Sequence, residues 1–260
     1  MAPVALSIAG SDPSGGAGLQ ADLKTFHRLG VYGEAVVTLI TVQNTCGIRR
    51  VEILDPGLVA EQIAAVIEDI PPQAAKTGAL GNRPVMEAVA QAAAGFRFPL
   101  IVDPVMIGKD GSALLDSAAR QALTEKLLPH AFLLTPNVPE AAELAGFPVE
   151  DLDSMARAAE KLRSMGAANV LVKGGHLLGD PVDLLLTSDG TWAEYPASRI
   201  ATRHTHGTGC TYSAAIAAEL AKGTELKDAI RNAKAFITEA IRTNPGLGRG
   251  AGPLNHFAQL

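Results

Sequence analysis

The sequence contains few cysteines and has no concentration of basic residues. Cys46 and Cys210 are the two cysteines in 260 residues. They stand far apart and match no metal-ligand spacing, so we expect two free thiols in a reducing compartment. The net charge is -5, and no segment concentrates Lys or Arg, which excludes the usual electrostatic footprint of a nucleic-acid-binding protein. We therefore expect a small-molecule ligand.

The sequence also lacks long apolar runs and a basic leader. No apolar run reaches the roughly 18 residues that span a bilayer, and residues 1–7 lack the basic start of a signal peptide. We expect a soluble cytoplasmic protein without membrane contact. Hydrophobic residues make up 47% of the chain and charged residues 19%, which predicts a globular protein with a substantial core.

Apolar runs of strand length alternate with amphipathic helical segments along the chain. This alternation predicts an α/β fold with a mostly parallel sheet. Strands are predicted at residues 4–9, 35–42, 74–77, 100–103, 132–135 and 169–173. An Asp-Gly turn predicts an antiparallel hairpin of residues 182–187 and 191–195. Helices are predicted at residues 17–29, 57–70, 83–94, 118–128, 138–145, 152–165, 208–222 and 226–243. No linker separates these segments, so we predict one domain, residues 1–260, with its site at the carboxyl ends of the strands.

The strongest local motif is a glycine loop that opens a helix of small residues. Gly207, Thr208 and Gly209 directly precede Cys210. Glycines let N–H groups turn inward, and a helix start adds unpaired donors and a positive dipole end, so the loop can cradle a phosphate. Gly-x-Gly alone is equally typical of an ordinary turn with Thr208 as the N-cap.

Cys210 strengthens the functional interpretation of this loop. The dipole of a helix start favours a thiolate, so we expect the Cys210 pKa to fall from about 8.5 toward neutrality and the thiol to act as a general base. A lone cysteine is more often a small buried hydrophobic residue. The position beside two glycines favours the catalytic role.

A second glycine-rich segment, residues 10–18, follows the first predicted strand. Its spacing, Gly15-Gly16-x-Gly18, matches neither a dinucleotide-binding loop nor a Walker A motif. It predicts a polar pocket for a small substrate, with Asp12 or Asp22 bonded to the polar atoms of that substrate.

Polar residues follow three of the predicted strands. Asp103 ends one strand, and Asn137 and Glu140 follow the next. Their oxygens can hold a hydrated Mg²⁺ ion against nucleotide phosphates, although Glu140 also fits the ordinary preference for acidic residues in a first helical turn. Lys173 stands before two glycines and fits either a phosphate contact or a surface ion pair.

Several blocks of the sequence together carry a family resemblance. The blocks are residues 9–18, 42–45, 76–78, 102–106, 135–141, 172–176 and 206–211. With them the chain resembles the ribokinase-like superfamily, and within it the bacterial hydroxymethylpyrimidine and phosphomethylpyrimidine kinases of thiamine biosynthesis. Cys210 is typical of this branch, since many ribokinase relatives carry aspartate there. The resemblance implies a three-layer sandwich in which helices cover both faces of a mostly parallel sheet with a small antiparallel edge.

The resemblance also implies an activity and a site. It implies an ATP-dependent kinase that uses Mg²⁺ and phosphorylates 4-amino-5-hydroxymethyl-2-methylpyrimidine and then its monophosphate, and relatives suggest a homodimer. Gly10 and Gln43 would contact the aminopyrimidine, and Val105 would pack on its ring. Nucleotide, metal and phosphate contacts would come from Asp103, Asn137, Glu140, Lys173, Thr208 and Lys234, and catalysis from Gly207, Thr208, Gly209, Cys210 and Lys173.

Two alternatives remain open from the sequence. A pyridoxal or pyridoxine kinase of the same branch would act on a hydroxymethyl group of a similar ring, although Gln43 favours the pyrimidine. A vitamin-precursor sensor without activity is the other, against which Cys210, Lys173 and Asp103 argue. Ala79 stands where the branch usually carries methionine, so the shape of the pocket there departs from the pattern.

Overall fold

A single mixed sheet runs through the molecule. The structure, a computed structural model, describes residues 2–106 and 115–259. Within these ranges the strands are β1 (Val4–Ser11), β2 (Tyr32–Asn44), β3 (Gly47–Ile53), β4 (Ala74–Thr77), β5 (Leu100–Val102), β6 (Leu133–Leu134), β7 (Asn169–Val172), β8 (Val182–Leu186) and β9 (Trp192–Pro196). Their order across the sheet is β3-β2-β1-β4-β5-β6-β7-β8-β9. The strands from β2 to β7 in this order are parallel, and antiparallel pairs lie at both edges.

Helices cover both faces of the sheet. They are α1 (Gly18–Arg28), α2 (Pro56–Asp69), α3 (Arg83–Ala93), α4 (Ser117–Ala122), α5 (Val138–Ala145), α6 (Leu152–Ser164), α7 (Thr208–Ala221) and α8 (Leu226–Arg242). Helices α2 to α6 share one apolar core with the sheet, and α1, α7 and α8 share the other. Asp55, Asn82, Asp116, Asn137 and Asp151 cap helices of the first group through side-chain oxygens, which satisfies N–H groups that the helix leaves free.

The composition of the strands explains their positions. The interior strand β1 is buried along seven of its eight residues, as expected for an apolar run covered by helices on both faces. The edge strand β3 carries Arg49, Arg50 and Glu52 and is largely exposed. Charged residues on an edge strand discourage pairing with another chain.

The predicted α/β architecture is confirmed, including the parallel sheet and the hairpin of β8 and β9. The strand β3 was not predicted, because its charged sequence lacks the apolar alternation of a half-buried strand. The predicted helix at residues 118–128 is confirmed as a continuous helical segment, in which α4 passes into a π-helical turn, Leu123–Leu127, and then into a 3₁₀ turn, Leu128–His130. In the described part of the chain, no helix combines the length and apolarity needed to cross a membrane.

Candidate active site

A cleft of about 660 Å³ opens at the carboxyl ends of the parallel strands. Its two ends are built by different elements: β1, β2 and the start of α1 on one side, and the loop after β7 with α8 on the other. The predicted site residues that line it are Gly10, Gln43, Asp103, Val105, Asn137, Glu140, Lys173, Gly207, Thr208, Gly209, Cys210 and Lys234. Ala79 lines the same cleft. The structure therefore brings together residues that are up to 224 positions apart in the sequence.

The glycine loop opens α7 without a side-chain cap. Gly207 is the N-cap residue, with a φ of 81°, and a Cβ there would overlap the carbonyl oxygen of Gly16. The Thr208 hydroxyl donates to the Thr205 carbonyl at 2.8 Å, so the interpretation of Thr208 as the N-cap is wrong. The first N–H groups of α7 are left without a capping side chain and can bind an anion.

The same loop lies against a charged pair. A Cβ on Gly209 would come within 3.4 Å of Lys173 Nζ and 3.5 Å of Asp103 Oδ2. Lys173 Nζ donates to Asp103 Oδ1 at 3.0 Å, and the Ser213 hydroxyl donates to Asp103 Oδ2 at 3.3 Å. The start of α7 and the Lys173 ammonium thus face the same point of the cleft.

Glu140 adds a second carboxylate to this end of the cleft. Its Oε2 accepts a hydrogen bond from the Asn137 N–H at 2.8 Å, and the Asn137 side chain accepts from the Glu140 N–H at 2.9 Å. Burial raises the Glu140 pKa to about 7, with Lys173 lowering it and Asp103 raising it. The interpretation of Glu140 as a first-turn acidic residue is confirmed by the capping box. Glu140 also lines the cleft, and its role as a metal ligand stays a prediction.

The charges around Lys173 suit a hydrated cation. One ammonium group faces two carboxylates, Asp103 and Glu140, which leaves an excess of negative charge when both are ionised. The described residues contain no group of three or more His, Cys, Asp or Glu side chains that could cage a metal. The two carboxylates at this end of the cleft are a donor set that suits Mg²⁺, because this ion keeps several of its waters and needs few protein oxygens.

Cys210 is half-buried at the start of α7. Burial raises its pKa to about 11; Lys76 and a hydrogen bond from the Gly18 N–H lower it, and Asp22 and Asp103 raise it. The expectation of a pKa near neutrality is wrong for the protein without ligands. Burial and the two nearby carboxylates outweigh the helix start and the Lys76 ammonium.

Asp22 does not line the cleft, contrary to the sequence prediction that it bonds the substrate. Its side chain is fully buried on the inner face of α1. It accepts hydrogen bonds from the Ser7 hydroxyl at 2.6 Å and from Lys76 Nζ at 3.0 and 3.2 Å. Asp22 therefore holds Lys76 beneath Cys210 and does not reach a ligand. Lys76 was not predicted as a site residue, although it stands in a predicted strand and in one of the blocks that carry the family resemblance, residues 76–78.

Lys234 lies at the far end of the cleft. Its Nζ donates to Asp183 Oδ2 at 2.7 Å, and the other oxygen of Asp183 accepts from the Gly174 N–H at 3.0 Å. Ile237 and Ile241, on the same helix as Lys234, also line the cleft. This end thus combines a fixed cation with apolar side chains.

The opposite end of the cleft is held by Asp12 and His206. The Asp12 carboxylate accepts from Ser14 and Ala17 and lies 2.8 Å from His206 Nε2. Asp12 therefore fixes the loop before α1, where the sequence predicted a substrate contact. His206 was not predicted as a site residue, although its position directly before the glycine loop gave a signal.

The fold and this site define a small-molecule kinase of the ribokinase-like class. A family model described as phosphomethylpyrimidine kinase matches residues 12–255, and the chain belongs to that family. It is 47% identical over 259 residues to a hydroxymethylpyrimidine/phosphomethylpyrimidine kinase of Synechococcus elongatus, covering 99% of this chain and 98% of that protein.

Further relatives agree with this assignment. The chain is 48% identical over 255 residues to a thiamine biosynthesis bifunctional protein of Geobacter sulfurreducens, which covers 97% of this chain. The chain spans about half of that longer protein, 52%. Among solved structures, the ADP complex of Bacillus subtilis pyridoxal kinase is similar with a TM-score of 0.91 and 39% identity, over 99% of this chain and 98% of that one. A phosphomethylpyrimidine kinase of Clostridium difficile gives a TM-score of 0.82 and 42% identity, over 92% and 99%.

Proposed function

We propose that the protein transfers the γ-phosphoryl group of ATP to the hydroxymethyl oxygen of 4-amino-5-hydroxymethyl-2-methylpyrimidine, and then phosphorylates the monophosphate. The observation that carries this proposal is the uncapped start of α7, which lies between the Cys210 thiol and the Lys173–Asp103 pair in one cleft. An anion-binding helix start beside a cation and a proton acceptor is an arrangement suited to phosphoryl transfer. The names of the curated relatives support the choice of acceptor.

The start of α7 and Lys173 would hold the γ-phosphoryl group during its transfer. The N–H groups of Gly209 and Cys210 and the Lys173 ammonium would neutralise charge on the equatorial phosphoryl oxygens as it develops. The Thr208 N–H donates to the Thr205 carbonyl at 3.3 Å. Asp103 already holds the Lys173 ammonium at the cleft, so the cation is in position when a phosphate arrives. Positioning and charge stabilisation therefore account for most of the catalysis.

A Mg²⁺ ion belongs to the proposal on the basis of the donor set. Asp103 and Glu140 would hold it through water molecules, and the bound ion would neutralise nucleotide phosphate charge. The raised pKa of Glu140 would fall beside a cation, because the cation favours the ionised carboxylate.

The two acceptors make different demands on Cys210. In the first transfer the substrate alcohol loses a proton, and the Cys210 sulfur is placed to accept it. A thiol with a raised pKa is mostly protonated at neutral pH, so it acts through a small thiolate fraction. In the second transfer the acceptor is a phosphate monoester, which is already ionised at neutral pH and needs no base.

A comparison of acceptors tests this proposal. ATP turnover would be measured with the aminopyrimidine alcohol, its monophosphate, pyridoxine and pyridoxal. We expect the highest kcat/KM for the aminopyrimidine alcohol. A preference for pyridoxine or pyridoxal would move the protein to the pyridoxal kinases, the second candidate, which the TM-score of 0.91 to such an enzyme favours. Binding of the alcohol without ATP consumption would instead indicate a sensor.

Four further statements stay predictions: the use of Mg²⁺, one domain over residues 1–260, a cytoplasmic location and a homodimer. Ile40 and Val42, on β2, are 50% and 51% exposed, and exposed apolar side chains on a two-stranded edge support the dimer. Sedimentation of the wild-type protein and of an Ile40→Glu variant would test it, with a shift of the variant to monomer as the expected result.

A further inference from the structure

One ring nitrogen of His206 faces two polar partners at the end of the cleft that β1, β2 and the start of α1 form. His206 Nε2 is 2.8 Å from Asp12 Oδ2 and 3.2 Å from Gln43 Nε2. His206 and Asp12 are 6% and 3% exposed, so water does not easily replace either partner. The presence or absence of a hydrogen on this nitrogen therefore decides the orientation of both neighbouring groups.

The surroundings of Asp12 decide that question. Asp12 accepts hydrogen bonds from the Ser14 N–H, the Ser14 hydroxyl and the Ala17 N–H, each at 2.9 Å. These three donors, two of them directed at Oδ2, favour the ionised form of the carboxyl. An ionised carboxylate can only accept hydrogen bonds. His206 Nε2 must therefore carry a hydrogen and donate it to Asp12.

A protonated Nε2 is incompatible with an amide NH2 group at 3.2 Å, because two donors would then face each other. The oxygen and nitrogen of a glutamine side chain occupy nearly equivalent positions, and the hydrogen-bond network decides between them. A half-turn of the Gln43 amide places Oε1 at this position, as a second and longer acceptor for the N–H that His206 donates to Asp12. Since Gln43 lines the cleft, its NH2 group is then the one presented to a ligand.

We propose that His206 is a positioning residue for substrate specificity: bonded to Asp12, it fixes the Gln43 amide with its oxygen toward the imidazole and its NH2 toward the cleft. The site then selects a heteroaromatic alcohol whose ring presents a hydrogen-bond acceptor, such as a ring nitrogen, to Gln43. This inference rests on the proposed function for the identity of the alcohol. The orientation of the His206 and Gln43 side chains is independent of turnover.

The protonation of His206 is measured directly on the ligand-free protein. Nitrogen-15 NMR of the histidine side chains, assigned with a His206→Asn variant, reports which ring nitrogens carry hydrogen. We expect a hydrogen on Nε2 at pH 7, in either the neutral ring or the imidazolium. An unprotonated Nε2 would overturn the inference, whatever the activity of the enzyme.

The Gln43 orientation is tested by an isosteric change. A Gln43→Glu side chain still accepts from His206 but presents an oxygen, not an NH2 group, to the cleft. We expect about 10- to 100-fold weaker binding of the aminopyrimidine alcohol by calorimetry, with KM raised and kcat less affected. Asn44→Asp, an exposed neighbour that makes the same chemical change, is the matched control and should bind as the wild type does.

Substrate analogues identify the atom that is recognised. Two pyridine analogues, each with one ring nitrogen of the pyrimidine replaced by C–H, would be titrated into both proteins. We expect one analogue to bind the wild type about tenfold or more weakly than the pyrimidine does, and this preference to disappear or reverse in Gln43→Glu. Equal binding of all three rings to the wild type, or unchanged affinity in Gln43→Glu, would overturn the inference.

These measurements separate the two levels of the proposal. If the alcohol binds with the expected analogue preference but is not phosphorylated, the proposed function fails and the inference stands. If the alcohol is phosphorylated but Gln43→Glu binds it as the wild type does, the inference fails and the function stands.

Discussion

Of the three lysine–aspartate pairs that the described residues form around the cleft, two differ clearly in their access to it. Lys76 and Asp22 are each 0% exposed, with Nζ 3.0 Å from Oδ2. Lys173 and Asp103 are 12% and 3% exposed at the same distance. The first pair has one carboxylate for one ammonium, whereas the second has Glu140 beside it. The same kind of ion pair thus lies once beneath the site and once inside it.

The difference in access assigns different tasks to the two pairs. The ammonium of Lys76 already bonds both oxygens of Asp22, and Ser7 bonds the same carboxylate, so this pair cannot take up a ligand. It supports the position and charge of its surroundings, including Cys210. The Lys173 pair reaches the cleft and can exchange part of its contact with Asp103 for a phosphate. We call these the sealed pair and the open pair.

Removing the cation of the sealed pair gives the largest expected effect. Lys76→Met leaves the Asp22 carboxylate buried without its partner, which costs about 3–5 kcal/mol of unfolding free energy. Urea denaturation measures the loss, and Lys161→Met, at an exposed lysine, is the control. The double variant Lys76→Met/Asp22→Asn should recover part of the stability. If the Lys76→Met protein were as stable as the control, the structural role of the Lys76–Asp22 pair would be refuted.

The same change in the open pair should affect activity more than stability. Lys173→Met is expected to lower kcat/KM about 100- to 1000-fold, since a cation that stabilises transition-state charge is lost. Steady-state kinetics with the aminopyrimidine alcohol measures this, again beside Lys161→Met. If Lys173→Met instead reproduced the stability loss of Lys76→Met with full residual activity, the distinction between the pairs would collapse.

Glu140, the second carboxylate beside the open pair, is expected to make the stability of the protein depend on pH. The Glu140 pKa is raised from 4.5 to about 7 in the folded protein, so the folded state binds this proton more tightly than the unfolded chain does. The resulting stability is complete below pH 4.5 and is lost as the pH rises to about 7. We expect Glu140→Gln, which keeps the capping box, to remove up to about 3 kcal/mol of this decline. Urea midpoints of both proteins across this range measure it, and parallel curves would contradict it.

Charged groups of both pairs shift the pKa of Cys210. Its titration is expected to change the reaction rate by a smaller factor. Because its pKa is about 11, the thiolate fraction grows with pH, and the rate of the first phosphorylation should rise up to about tenfold per unit from pH 7 to 9. The second phosphorylation should show no such rise. Cys210→Ala should remove the slope and lower the first rate about 100-fold at pH 8, with the second much less affected. Single-turnover rates with each acceptor measure this, and equal losses in both steps would refute the base assignment.

The sequence predicts most of the architecture because the buried strands and helices carry clear apolar patterns. It fails where a contact joins distant segments. Nothing in residues 17–29 shows that Asp22 on α1 contacts Lys76 on β4, so a polar residue near a glycine loop was assigned to the substrate. The pKa of Cys210 was misjudged for the same reason, since the helix start is visible in the sequence but the neighbouring carboxylates are not. His206 and Asp12 are 194 positions apart, and their contact exists only in the fold.

The contact between Gly207 and Gly16 has a consequence for how this site can change. The backbone of the phosphate loop rests directly on the backbone of the loop before α1, with no room for a side chain between them. Neither loop can be lengthened or shifted alone. The distance between the bound phosphoryl donor and the acceptor alcohol is therefore fixed by the backbone. Adaptation to a different ring must then proceed through single side chains on the wall, such as Ala79, and leave the two loops as they are.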